Sequence, residues 1–76
     1  MKLIYEPEYM PLGLKIAYYR KLKGLTQEQL AERIDRTPAF IGHVEAPNIN
    51  KAVSLDTLFD IARVLETPIY KFLMFD

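Results

Sequence analysis

Only two residues, Asp35 and Arg36, separate two helical signals in this chain. Upstream, Thr26 with Gln29 three residues later has the spacing of a reciprocal capping box, and Leu30, Ala31 and Ile34 follow on one helical face. Downstream, Thr37-Pro38 joins a capping hydroxyl to a proline whose missing N–H costs nothing in a first turn. So short a link forces the two helices to cross steeply. Asp35 falls where the backbone needs a left-handed or otherwise unusual conformation, which aspartate tolerates better than most residues. Ala31 is small enough for the helices to approach closely.

The remaining punctuation predicts helices on both sides of this pair. A first helix is expected from near Pro11, through "LGLKIAYYRKLK", to a left-handed C-cap at Gly24, with Leu12, Ile16 and Tyr19 on one stripe. After the polar stretch "APNINKAV", Ser54 caps a fourth helix in which Leu55, Leu58, Ile61, Ala62 and Leu65 recur at three- and four-residue spacing. A second Thr-Pro pair, Thr67-Pro68, is expected to start a fifth, short helix carrying Ile69, Phe72 and Leu73. The fold class is therefore all-α with five helices. At 76 residues the chain suits one domain, residues 1–76, with an N-terminal arm over residues 1–10.

Composition narrows the chemistry. There is no cysteine, which excludes disulfides and thiolate metal sites, and a single histidine makes a metal centre a poor reading. No apolar run approaches the roughly 18 residues needed to span a bilayer, and "MKLIYEPEYM" is too broken by glutamates and proline for a signal peptide. The expectation is a cytoplasmic protein with no membrane association. One histidine, one serine placed at a helix cap and no glycine-rich phosphate loop argue against an enzyme, a cofactor or a small-molecule ligand. Net charge is zero, yet the segment from Lys15 to Lys51 is locally basic and both flanks are acidic.

"GLTQEQLAERIDRTPAFIGHVE", with "LGLKIAYYRK" before it and "SLDTLFDIARVL" after it, resembles the phage-repressor and Cro-like helix-turn-helix family, also called the XRE type. The likeness runs over residues 12–73 and implies a five-helix, repressor-like domain with its motif at about residues 26–45. Members of this family bind double-stranded DNA, the first motif helix crossing the backbone and the second entering the major groove. Gln27 matches a glutamine that in the family contacts a phosphate, and Arg20 and Glu45 match a pair that in many members forms an internal salt bridge.

Projecting the helix after Thr37 at about 100° per residue turns Thr37, Ile41 and Val44 toward the core. Ala39, Gly42 and His43 then face outward with Pro38 and Phe40 on the flanks, which makes these five the base-facing candidates. Most family members place Gln, Arg, Asn or Ser there, the side chains that read base edges by paired hydrogen bonds. In this chain only His43 can supply a polar contact, leaving methyl and aromatic contact from Ala39 or Phe40. Gly42 costs a helix about 1 kcal/mol relative to alanine, so a side chain there would collide with a binding partner or with another part of the fold.

Phosphate candidates are Gln27, Arg36 and Thr37, joined by Asn48, Asn50 and Lys51 ahead of the capped helix at Ser54. Arg36 departs from the family, which usually buries an aliphatic side chain in the turn; it either reaches outward to a phosphate or loosens the packing. Pro47 departs as well, standing where a glycine is common.

The ends of the chain carry Leu3, Ile4, Tyr70, Phe72, Leu73, Met74 and Phe75, more apolar surface than so small a domain can cover. A homodimer would hide it and set two recognition helices about one DNA turn apart. The leading expectation is a small sequence-specific transcriptional repressor. The alternative is a protein-interaction module, antitoxin-like or a co-regulator, on the same fold.

Overall fold

The computed structural model of the chain describes residues 6–46 and 53–74. Its first helix, α1 (Glu6–Leu22), begins before Pro11, so residues 6–10 belong to a helix rather than to an arm. Pro7 occupies the first turn, where a proline fits best. Pro11 lies inside the helix and has no N–H to offer the Pro7 carbonyl, a loss the sequence pattern weighed as a boundary. The helix closes through Gly24 at φ 82°, after which the Leu25 N–H bonds the Arg20 carbonyl at 3.1 Å.

Helix α2 (Gln27–Arg33) carries the full capping box: Thr26 Oγ1 accepts from the Gln29 N–H at 3.1 Å, and Gln29 Oε1 accepts from the Thr26 N–H at 2.9 Å. Asp35 then adopts φ 59°, the left-handed conformation its position demands. Helix α3 (Pro38–Glu45) starts on Thr37, whose hydroxyl accepts from the Phe40 N–H at 3.1 Å. Thr37 is exposed rather than turned to the core, because its side chain folds back onto the helix end it caps.

Helix α4 (Leu55–Val64) is capped by Ser54, with the Thr57 N–H donating to its hydroxyl at 3.2 Å. Leu58, Ile61, Ala62 and Leu65 are buried as their spacing requires, but Leu55 is 59% exposed. It occupies the first helical position, beyond the edge of the core. The expected fifth helix is a four-residue 3₁₀ turn, Ile69–Phe72, so the described residues form four α-helices and one such turn, with no strand among them.

The core is shared among all five elements: Leu12 and Ile16, Leu30 and Ala31, Ile41 and Val44, Leu58 and Ile61, and Phe72 are all buried. Phe72 is fully enclosed and meets Tyr19 edge to face at 5.3 Å. It is therefore not part of the leftover apolar surface, whereas Tyr70, Leu73 and Met74 are exposed; Leu3, Ile4 and Phe75 lie outside the described residues. Helix α1 crosses α3 at Gly13, where any Cβ would strike the Val44 carbonyl oxygen. That crossing seats α3 on the scaffold.

Candidate nucleic-acid interface

One side of α3 is locked down. Ile41 is 0% exposed and Val44 is 4% exposed, and beside them the Glu45 carboxylate is buried. Arg20 of α1 grips that carboxylate with two bonds, Nε to Oε2 at 2.7 Å and Nη2 to Oε1 at 2.9 Å, while its Nη1 donates to the Leu25 carbonyl at 2.8 Å. Gln27, the first residue of α2, adds a third donor to Glu45, Nε2 to Oε1 at 2.9 Å. A buried charge is tolerable only when its partners satisfy it this completely. The network ties α1, α2 and α3 together at the C-terminal end of α3.

The opposite side of α3 faces solvent. Pro38, Ala39 and His43 are exposed, Gly42 is half-buried, and Phe40 is half-buried against the core. Gly42 does not approach another part of the fold closely enough to require glycine: an added Cβ would find its nearest neighbour, Gln27 Oε1, at 3.7 Å, an ordinary contact. Of the two explanations for this glycine, collision within the fold is the one the geometry removes.

Arg36 makes two contacts within the fold. It is exposed, its guanidinium stands 5.4 Å from the centre of the Phe40 ring, and Nη2 donates to Thr57 Oγ1 at 3.1 Å. Thr57 Oγ1 also accepts from Ser54 Oγ at 2.9 Å, so Arg36 bridges the first turn of α3 to the first turn of α4. Thr37 is exposed with its hydroxyl engaged in the cap, and Gln27 is half-buried with its amide on Glu45. Asn48, Asn50, Lys51 and Pro47 lie outside the described residues.

Two contributors escaped the sequence reading. Gly13, on which the seating of α3 depends, left one signal: an isolated glycine inside a helical pattern. Thr57, 21 residues from the arginine it holds, left none.

The fold has close relatives among solved structures. The clp gene regulator ClgR from Corynebacterium glutamicum matches with a TM-score of 0.80 at 26% identity, over 87% of this chain and 68% of that one. SinR, a master regulator for biofilm formation solved in complex with DNA, matches with a TM-score of 0.75 at 27% identity, over 83% of this chain and 98% of that one. The restriction-modification controller protein C.AhdI from Aeromonas hydrophila shares the fold with a TM-score of 0.82 at 24% identity, over 92% of this chain and 99% of that one. No curated protein matches the chain in sequence. A helix-turn-helix family model matches residues 16–72, which takes in α2, α3 and the network that joins them. With that match and this geometry, the chain belongs to the XRE-type helix-turn-helix family of DNA-binding regulators.

Proposed function

We propose that this protein is a sequence-specific transcriptional repressor that inserts α3 into the DNA major groove and acts as a homodimer. What carries the reading is the two-sidedness of α3, buried and latched along Ile41, Val44 and Glu45 and open along Pro38, Ala39 and His43. A rigid scaffold holding one short exposed helix is what groove entry requires. Pro38, Ala39, Phe40, Gly42 and His43 are the base-facing set, with apolar contact to thymine methyl groups dominating and His43 the polar member. Gln27, Arg36, Thr37, Asn48, Asn50 and Lys51 are the phosphate candidates, Arg36 being pre-oriented by Phe40 and Thr57. The second copy would cover Phe59 together with Tyr70, Leu73 and Met74, large apolar side chains that stand exposed on α4 and just past it.

Binding to the DNA flanking its own gene, followed by gel shift across a salt series, tests the groove reading. The expected log–log slope is shallow, on the order of 2 to 4 per subunit, because few phosphates are neutralised. Binding indifferent to salt, or no binding, rejects it. A second reading draws on the near absence of hydrogen-bonding side chains on the open face of α3. There, α3 would meet a protein, as in an antitoxin-like module or co-regulator; stoichiometric, nuclease-resistant co-purification of a partner would favour that over DNA.

A further inference from the structure

The Glu45 carboxylate does more than close an ion pair, because it also fixes the orientation of Gln27. A carboxylate only accepts hydrogen bonds, so the atom of the Gln27 amide that stands 2.9 Å from Glu45 Oε1 has to be the nitrogen. The amide oxygen is then held away from Glu45. It lies beside α3, 3.7 Å from the point a Gly42 Cβ would fill, and no donor among the described residues reaches it. Gly42 belongs to the open face that also carries Ala39 and His43. Gly42, having no side chain, sets no group of its own against this oriented acceptor, on a helix whose open face is otherwise poor in polar atoms.

We infer that Gln27 reads a base: its Oε1 accepts from an exocyclic amino group in the major groove, adenine N6 or cytosine N4, through the gap above Gly42. Guanine and thymine present only acceptors at the corresponding edge and are rejected there. This rests on the groove reading proposed above and adds a specificity-determining residue to it, supplied by α2 rather than by α3. The second amide hydrogen of Gln27 can still meet a phosphate, but a phosphate contact carries no sequence information.

Selection from random-sequence DNA with the full chain, run on the parent, Gln27→Met and Gly42→Ala, separates these roles. The parent should enrich a site in which one position per half-site holds adenine or cytosine. Gln27→Met should lower the preference at that position by about five- to tenfold, the worth of one neutral hydrogen bond, and leave the other positions as they were. Gly42→Ala should lose preference at the same position with a thermal melt no lower than the parent's, since the fold has room for the methyl group. Loss of affinity spread evenly over all positions in Gln27→Met, or an intact preference in Gly42→Ala, overturns the inference while leaving groove binding standing. If the parent enriches no sequence, groove readout itself fails and the inference falls with it.

Discussion

At Asp35 and at Glu66 the backbone turns the same way, with φ of 59° and 53°. At each, the next residue's N–H reaches back five positions to close the preceding helix, Arg36 to Ala31 at 2.8 Å and Thr67 to Ala62 at 3.0 Å. Each junction also holds a Thr-Pro pair, yet one opens an eight-residue α-helix and the other a four-residue 3₁₀ turn. The difference is one residue. Arg36 takes the closing bond at the first junction, which leaves Thr37 extended, at φ −90° and ψ 154°, and free to cap. No residue intervenes at the second, so Thr67 itself closes α4 and its hydroxyl donates to the Leu65 carbonyl at 3.0 Å. The cap position falls on Pro68, which has no side-chain bond to give. A helix start is thus decided by the register of the cap against the previous helix end, not by the cap residue alone.

Deleting Arg36 would make the first junction like the second and is the most damaging change this comparison suggests. Thr37 would then have to close α2, α3 would lose its cap, and Ile41 and Val44 would turn away from the core. Burial of two core side chains and a helix cap together is worth about 4 kcal/mol or more, a large share of a small domain's stability. No cooperative thermal transition is expected for the deletion by circular dichroism. A melt close to the parent's would show that spacing does not set the register.

The next effect tests what holds each segment once it has started. The 3₁₀ turn is anchored by buried Phe72, whereas α3 adds the latch from Arg20 and Gln27 to Glu45 at its far end. Arg20→Ala leaves a buried carboxylate with Gln27 alone and should cost about 3 to 5 kcal/mol, read from denaturant midpoints. Stability unchanged from the parent would mean the latch is dispensable.

These contrasts also mark what could be read from the chain. The caps at Thr26, Thr37 and Ser54 and the left-handed turns at Gly24 and Asp35 are local, each set within a few residues, and sequence patterns expose them. The second Thr-Pro pair differs because no residue separates Glu66 from Thr67, so the Thr67 N–H is taken by Ala62, and a Thr-Pro pattern taken without the spacing before it overstates the helix. Arg20 and Glu45 stand 25 positions apart and were joined only through family resemblance. The resemblance assigns Gln27 a phosphate contact and gives no sign of its bond to Glu45, 18 positions away. Arg36 reads as reaching a phosphate or loosening the turn, and its contact with Thr57 has no local signal because Thr57 sits on a helix that packs there only in three dimensions. Apolar spacing outlines the scaffold well; of the long-range polar contacts that aim α3, only the Arg20–Glu45 pair is reached, and through resemblance rather than local pattern.

Removing the two threonine hydroxyls in parallel sharpens the comparison at lower amplitude. Thr37→Ala should cost about 1 kcal/mol, the usual worth of an N-cap. Thr67→Ala removes a single bond to a carbonyl and no cap, so about 0.5 kcal/mol is expected. Equal losses in chemical denaturation would contradict the different roles assigned to the two residues.

The smallest effect concerns the charge on Glu66, the counterpart of Asp35 at the second junction. Glu66 accepts a hydrogen bond from the Lys23 ammonium, and that bond, with the attraction between the two charges, holds its carboxyl below the ordinary value of 4.5. A carboxyl depressed in the folded state stabilises the fold above its unfolded value and loses that contribution as pH falls through the folded one. Glu66 is exposed, so solvent screens the pair and the contribution is small. The parent should therefore melt slightly above Glu66→Gln at neutral pH and low salt, with the gap narrowing below pH 4.5 as the carboxyl takes up its proton. Lys23→Ala should make the gap vanish at every pH, because the cation that creates the shift is then gone. A gap that persists unchanged in acid would locate the role of Glu66 in its left-handed backbone instead of its charge, and would leave the two junctions more alike than their side chains suggest.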